Sequence, residues 1–249
     1  MIGLTRHLHF TELDSTNLKA HELAENGEFG PLWISADKQT SGRGRRGREW
    51  VSQNGNLYAT LLISLPVKPI TAMQVSFITA LAVYEAAAKC FEKPPSNLAL
   101  KWPNDVLLAD EKLAGILIET VKSQSKEKTC LAIGCGVNIN SAPDNTSYGA
   151  SCLNDHAKSQ ITAQTLLTQI DASMNHWLDV WRYGENFSSI INAWQNRAQS
   201  LGKQVSIING NDVITGIFKG LAPDGALILS LPTGKEQHFH AGDVSFRTG

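Results

Sequence analysis

Cysteine is scarce in this chain. The four present in 249 residues, Cys90, Cys130, Cys135 and Cys152, form no C-x-x-C pair, which excludes a disulfide framework and predicts reduced thiols in a cytoplasmic protein. An excess of either charge is also missing: 22 basic against 23 acidic side chains leave a formal net charge of -1. The surface as a whole is therefore no electrostatic trap for nucleic acid or an anionic membrane, which leaves only a local basic patch open. The N-terminus, MIGLTRHLHF, lacks the basic-then-apolar layout of a signal peptide, and the uncharged apolar stretch Pro69 to Tyr84 falls short of the ~18 apolar residues of a membrane span. No Gly-Lys-Ser/Thr and no Gly-Gly occur anywhere. What is present, 42% hydrophobic and 18% charged residues, describes a globular protein long enough for a large domain plus a small one.

The organisation follows from periodicity and punctuation. Asp14, Ser15 and Thr16 offer N-caps for a helix over Leu18 to Ala24 that stops at Asn26-Gly27,. Leu32 to Ala36 and Leu57 to Leu65 read as strands around a glycine- and arginine-rich insertion,. Ala72 to Phe91, apolar on all sides with Thr71 as cap and Pro94-Pro95 beyond its end, predicts a buried helix,. Leu98 to Trp102, Val106 to Leu108, Leu113 to Thr120 and Leu131 to Ile139 are joined by connections short enough for an antiparallel meander,. Two further helices follow, marked by Leu166 to Trp181 and Phe187 to Trp194,. The remainder carries turns at Asn209-Gly210, Pro223-Asp224-Gly225 and Pro232-Thr233-Gly234, the spacing of a small all-β barrel that packs on the main body. The expected architecture is α+β: a mixed, mainly antiparallel sheet with helices on one face over residues 1–201, then a β barrel over 202–249.

Four stretches carry chemistry. Gly42-Arg43-Gly44-Arg45-Arg46-Gly47-Arg48 satisfies G-x-G-x-x-G formally, but no helix opens after it and no acidic residue stands ~20 positions on, so it is not a dinucleotide fingerprint. Backbone N–H groups and planar guanidiniums in such a loop suit an anion clamp; a solvated loop or a nucleic-acid loop has the same composition. Lys101-Trp102-Pro103-Asn104-Asp105-Val106 places Asn104 and Asp105 at a turn between strands, where an Asx turn with a packed tryptophan is the plain alternative. Lys112 enters an apolar strand containing Gly115, a pattern shared by an edge-strand lysine at a hairpin. Gly134 and Gly136 interrupt another strand, as a closely approaching ligand, a second backbone or a bulge requires,.

In order and spacing these segments, together with Ser15-Thr16-Asn17 and Gly134-Cys135-Gly136-Val137-Asn138, resemble the motifs of the biotin protein ligase family over essentially the whole chain. The resemblance implies a class II synthetase-like catalytic domain with a C-terminal SH3-like barrel. It also implies an enzyme that joins biotin and ATP into biotinyl-5′-adenylate, releases pyrophosphate and passes biotin to one lysine of a carrier. Arg45 and Lys112 then match catalytic positions. Ser15, Thr16, Asn17, Gln39, Gly42, Arg43, Gly115, Gly134 and Gly136 join them around biotin. Arg43, Arg45, Arg46, Arg48, Trp50, Asn104, Asp105, Lys112 and Asn138 match positions for ATP and the adenylate, with Asp105 as the candidate Mg²⁺ ligand. Asn104 and Asp105 stay open between the nucleotide, Mg²⁺ and the incoming lysine. The implied partner is the biotin carboxyl carrier domain of acetyl-CoA carboxylase or a related biotin-dependent enzyme, with a homodimer among the assemblies the family allows. The motifs begin by Asp14, which leaves no room before them for the winged helix-turn-helix of some members, so no sequence-specific DNA binding, no repressor role and no membrane are expected.

Three other readings are weaker. Lipoate ligases resemble this pattern but carry a glycine pair that is missing here. A nucleic-acid module would need a wider basic surface with interleaved aromatics, and a dinucleotide oxidoreductase would need βαβ alternation. The i, i+2 histidine pairs His7/His9 and His238/His240 lack the added carboxylate or cysteine of a metal site.

Overall fold

A computed structural model describes residues 5–122, 127–144, 149–209 and 212–245. Its main sheet has seven strands in the order β1-β2-β3-β7-β6-β5-β4: β1 (Arg6–Leu13), β2 (Leu32–Gln39), β3 (Leu57–Leu65), β4 (Leu98–Lys101), β5 (Asp105–Leu108), β6 (Glu111–Val121) and β7 (Thr129–Val137). Neighbours are antiparallel except β1 and β2. A parallel pair needs a crossover, supplied by α1 (Thr16–Glu25), so the N-terminal edge is one βαβ unit and the β4–β7 region is the expected meander.

The helices occupy both faces of the sheet rather than one. Strand alternation in β2 separates them: Leu32 and Ile34 join Ala20 and Ala24 of α1 in one buried cluster, with Leu62, Cys130 and Ala132. Trp33 points the other way, into the larger core with Ala59, Leu61 and Ile63 of β3. That second face is covered by α3 (Val75–Ala88), α4 (Ala163–Trp181) and α5 (Phe187–Gln195). Trp33 Nε1 donates to Asp171 Oδ1 of α4 at 2.7 Å, so this buried indole keeps its polar atom satisfied.

The long apolar segment is two helices, not one. Pro69 takes the first helical position of α2 (Pro69–Ala72), where its fixed φ is pre-organised, and Lys68 is the N-cap, so Thr71 lies inside this helix. α3 then ends at Ala88 with Lys89 as C-cap, short of the expected Phe91. Residues Pro69–Ala88 are long and apolar enough to cross a membrane, contrary to the shorter estimate from uncharged length. α3 nevertheless packs against the sheet, α4 and α5, and its Val75, Ile78, Leu81, Val83 and Ala86 are fully buried.

The C-terminal strands β8 (Gln204–Asn209), β9 (Asp212–Leu221), β10 (Leu227–Ser230), β11 (Glu236–Phe239) and β12 (Asp243–Ser245) form an antiparallel sheet ordered β11-β10-β9-β8-β12. The closed barrel expected from the turn spacing is not seen: among the described residues β11 and β12 share no ladder, and β12 is only three residues long. The expected turn at Asn209-Gly210 falls at Gly210 outside the described residues, as does part of the loop between β6 and β7. Val205, Ile207, Phe218, Leu227 and Phe239 belong to the same buried cluster as the main core, and Trp102 Nε1 donates to Gly225 O at 3.2 Å. The small sheet is thus packed on the large one, with β12 turned toward the mouth of the cavity described next.

Candidate active site

A cavity of about 370 Å³ opens where the start of α1, the end of β2, the faces of β6 and β7 and the β4–β5 turn converge. Ser15 is the N-cap of α1, yet its side chain makes no capping bond and lines the cavity. Thr16, Asn17 and Gln39 extend that end of the wall. Thr16 N–H donates to Gln39 Oε1 at 2.9 Å, and Gln39 Nε2 lies 3.2 Å from Ser52 Oγ. Beneath them, fully buried Thr60 donates to Asn17 Oδ1 at 2.6 Å and sits 2.8 Å from Thr16 Oγ1. Asn17 Nδ2 donates to Glu119 Oε2 at 2.7 Å.

The arginine loop folds back on itself. Trp50 N–H donates to Gly42 O at 2.9 Å, Gly44 N–H to Arg48 O at 2.7 Å, and the chain turns over Arg45–Gly47 with Arg46 at φ 55. Arg45 is drawn inward, donating to Asn104 Oδ1 at 2.8 Å, Gly242 O at 3.0 Å and Asp243 Oδ1 at 3.0 Å. Arg48 also reaches Asp243, at 3.1 Å, and Arg46 lies 3.7 Å from it. Burial pushes the Arg45 guanidinium below its ordinary pKa, against the pull of Asp243 and Asp105. Arg43, Arg45 and Arg48 line the cavity; Gly42 and Arg46 do not. Arg46 is on the outer side of the turn, and Gly42 faces the Trp50 carbonyl and Gln39, where a Cβ would collide.

At the opposite wall Lys112 Nζ pairs with Asp105 Oδ1 at 2.7 Å and lies 5.5 Å from the Trp50 ring centre. The main chain of Lys112 is gripped from both sides: its N–H donates to Gly149 O at 3.2 Å, and its carbonyl accepts from Ser151 N–H at 3.1 Å and Asn138 Nδ2 at 3.3 Å. Asn138 therefore lines the cavity but spends its amide on Lys112 and on Ser151 O, 3.2 Å away. Asn104 is committed likewise, giving Nδ2 to Ile116 O at 2.6 Å and Oδ1 to Arg45. Lys101, buried beside this pair, has its pKa lowered, first by burial, with Asp105 opposing. A second cavity of about 550 Å³ reaches Lys101, Asp105 and Lys112 from the side of Lys203.

The strand glycines are explained by side chains. A Cβ on Gly136 would stand 2.5 Å from the Trp50 indole, and one on Gly115 2.9 Å from it; at Gly134 it would meet Asn17 Oδ1. The Trp50 ring thus lies flat on the glycine wall, with its Nε1 buried and lacking a hydrogen-bond partner among the described residues. Gly136→Ala is an overpacking change, worth about 1–3 kcal/mol. It is expected to lower Tm by about 2–10 °C in a scanning calorimeter, and an unchanged Tm would show that the indole moves aside freely. Cys135, between the two glycines of β7, is buried with its thiol pushed up to about 12, so it is no nucleophile.

Of the polar side chains described above in and around this cavity, Lys101, Ser52, Thr60, Glu119 and Asp243 were not among the candidates taken from the sequence. Lys101 stood inside a recognised motif. Asp243 follows the loop by almost the whole chain and has no local signature; the one hint was a loop of four arginines without a matching acid within it. The cavity is lined by the neutral hydrogen-bonding groups of Ser15, Thr16, Asn17 and Gln39 and by the cations Arg43, Arg45, Arg48, Lys101 and Lys112. It suits a molecule with an uncharged polar ring and an anionic tail, brought against a second anion.

The model of the biotin/lipoate A/B protein ligase family matches residues 9–138, and that of the biotin protein ligase C terminal domain matches residues 200–247. A biotin--[acetyl-CoA-carboxylase] ligase of Paracoccus denitrificans is 39% identical over 241 residues, 94% of this chain and 97% of the relative. The bifunctional ligase/repressor BirA of Bacillus subtilis is 30% identical over 95% of this chain and 73% of its own length. Among solved structures, the biotin protein ligase from Aquifex aeolicus in complex with biotin and ATP superposes with a TM-score of 0.79 at 28% identity, covering 96% of this chain and 97% of that one.

Proposed function

The chain belongs to the biotin/lipoate A/B protein ligase family, and from that premise we propose how its site works as a biotin ligase. It is an enzyme that activates biotin with ATP to biotinyl-5′-AMP and transfers the biotinyl group to a carrier lysine. The observation that carries the site assignment is the pairing of Lys112 with Asp105 at 2.7 Å, in the same cavity that Ser15, Thr16 and Gln39 line.

Biotin enters with its ureido ring among Ser15, Thr16 and Gln39 and its carboxylate toward Lys112 and the arginine loop. A carboxylate oxygen attacks the α-phosphorus of ATP, the bond to the bridging oxygen breaks, and pyrophosphate leaves. Two anions must meet in line, so fixed cations lower the barrier by neutralising both. Arg43 and Arg45 act from the loop and Lys112 from β6, while Arg48 braces the loop and Arg46 serves only from outside the cavity. Trp50 forms an apolar wall that keeps water from the mixed anhydride. Asn104 holds Arg45 in place, and Asn138 acts through the backbone of Lys112. In the second step a carrier lysine, approaching through the opening beside Lys203, attacks the acyl carbon and AMP departs with the anhydride oxygen.

Mg²⁺ would arrive with the triphosphate, which supplies most of its oxygen ligands. Among the described residues no three His, Cys, Asp or Glu side chains converge on a cation site; Asp105, which lines the cavity beside Lys112, would supply the single protein carboxylate. Residues 1–201 form the catalytic domain and 202–249 the family's SH3-like unit. The acceptor is the biotin carboxyl carrier domain of acetyl-CoA carboxylase or a related biotin-dependent enzyme, met in the cytoplasm where the four free thiols stay reduced. Incubation with ATP, biotin and a purified carrier domain should place one biotin on its target lysine by intact-mass measurement. A carrier left unmodified while adenylate forms would refute the acceptor assignment.

A further inference from the structure

Resting on the biotin ligase reading, we infer that Glu119 is a positioning residue that sets the direction of a hydrogen-bond chain and so makes Thr16 Oγ1 an acceptor for a ligand N–H. The chain begins at the half-exposed Glu119, whose Oε2 lies 2.7 Å from Asn17 Nδ2 and 3.7 Å from His21 Nε2. An ionised carboxylate only accepts, and the Leu117 carbonyl, 3.5 Å from the same nitrogen, also only accepts. The Asn17 amide is therefore held with its NH₂ toward β6 and its Oδ1 toward Thr60.

From there each step is forced by the count of protons. Thr60 has one hydroxyl proton, and Asn17 Oδ1 at 2.6 Å takes it. Thr16 Oγ1 has one proton too, and its protein neighbours are Thr60 Oγ1 at 2.8 Å, whose proton is spent, and Gln39 Oε1 at 3.2 Å, which only accepts. Thr60 Oγ1 is the nearer of the two, and Gln39 Oε1 already accepts from Thr16 N–H at 2.9 Å, so the Thr16 proton goes to Thr60 and the hydroxyl faces the cavity with lone pairs. Gln39 is oriented by the same logic: its Oε1 accepts from Thr16 N–H at 2.9 Å and its NH₂ points toward Ser52. Asn17 and Thr16 are 4% exposed and Thr60 is 0% exposed, so water does not scramble the order.

The consequence is selection by hydrogen-bond polarity. A cyclic urea carries two ring N–H donors, and a site with a fixed acceptor admits it, whereas a dithiolane ring or an N-alkylated urea leaves the buried acceptor unpaired. Glu119 reaches this point only through Asn17 and Thr60 and touches no reacting atom.

The test compares biotin with its two analogues methylated on one ureido nitrogen, titrated calorimetrically into the full chain and used in the ATP reaction. Glu119→Gln keeps shape but lets its own NH₂ meet Asn17 Oδ1, so that Asn17 can turn and reverse the chain. Wild-type protein should bind one methylated analogue about 100-fold more weakly than biotin, the penalty of one unpaired buried acceptor. E119Q should compress that ratio to about tenfold or less, raising KM for biotin while kcat at saturation stays within about twofold. Adding E119Q to Thr60→Val should change the ratio no further, because the relay is already cut. An E119Q protein with the wild-type ratio, or one whose kcat and KM fail together with a lowered Tm, overturns the role of Glu119. Wild-type protein that binds biotin and both analogues alike overturns it as well. Wild-type protein that binds no biotin at all overturns the ligase reading and this inference with it.

Discussion

Lys112→Met is expected to lower the rate of biotin-dependent pyrophosphate exchange by about 10²–10³-fold, the loss that follows removal of one oriented donor at a developing charge. The size follows from how firmly the side chain is aimed. Gly149, Ser151 and Asn138 fix its main chain on both sides, Asp105 fixes its ammonium at 2.7 Å, and the Trp50 ring lies over it. An exposed lysine on a mobile stem would contribute far less, because it would lose side-chain entropy on reaching the transition state. The defect should fall on kcat, measured at saturating ATP and biotin, with biotin affinity reduced much less, since the ring end of the slot is untouched. Wild-type exchange kinetics in K112M would remove Lys112 from the mechanism.

Asp243→Ala is expected to weaken activity by about 10–100-fold, the worth of one charged hydrogen bond, although the residue belongs to the C-terminal sheet. Asp243 collects Arg45 at 3.0 Å, Arg48 at 3.1 Å and Arg46 at 3.7 Å. Arg46 and Arg48 are exposed and screened, and their pairs contribute little. The Arg45 pair is the one with weight, both side chains being about one-fifth exposed, and a hydrogen bond between charged groups is worth about 1.5–3 kcal/mol. Its loss frees the loop to swing from the cavity and lets water reach the mixed anhydride. KM for both substrates should therefore rise, and AMP should be released without matching transfer to the carrier. D243A with normal KM values and full coupling of AMP release to transfer would show that the loop holds itself.

These two residues mark the limit of what local sequence reveals. Lys112 was singled out through the resemblance carried by Lys101-Trp102-Pro103-Asn104-Asp105 and Lys112-Leu113-Ala114-Gly115; its local pattern alone fits a hairpin lysine as well. Asp243 was not, because its role is created by the packing of β12 against a loop almost 200 residues earlier. The same divide runs through the fold. The β4–β7 meander followed from short connections, whereas the placement of α1 on the opposite face was encoded only in which residues of β2 alternate. Thr71 looked like a helix cap until Pro69 claimed the start of α2. The glycines of β7 were read as sites where a ligand or a second backbone comes close, or as a bulge; the side chains of Trp50 and Asn17 are what stand against them, and Trp50 also stands against Gly115 of β6. Asn138 and Asn104, singled out as nucleotide-binding candidates, also hydrogen-bond to the Lys112 carbonyl and to Arg45, contacts that no local pattern announced.

The most direct measurement is ATP–pyrophosphate exchange by the purified chain, with biotin, with lipoate and with neither acid. Exchange that requires biotin and ignores lipoate is the predicted result, because the slot ends in hydrogen-bonding groups matched to a cyclic urea and in cations matched to a carboxylate beside an α-phosphate. Exchange supported by lipoate and not by biotin would contradict the account, and so would its absence with both.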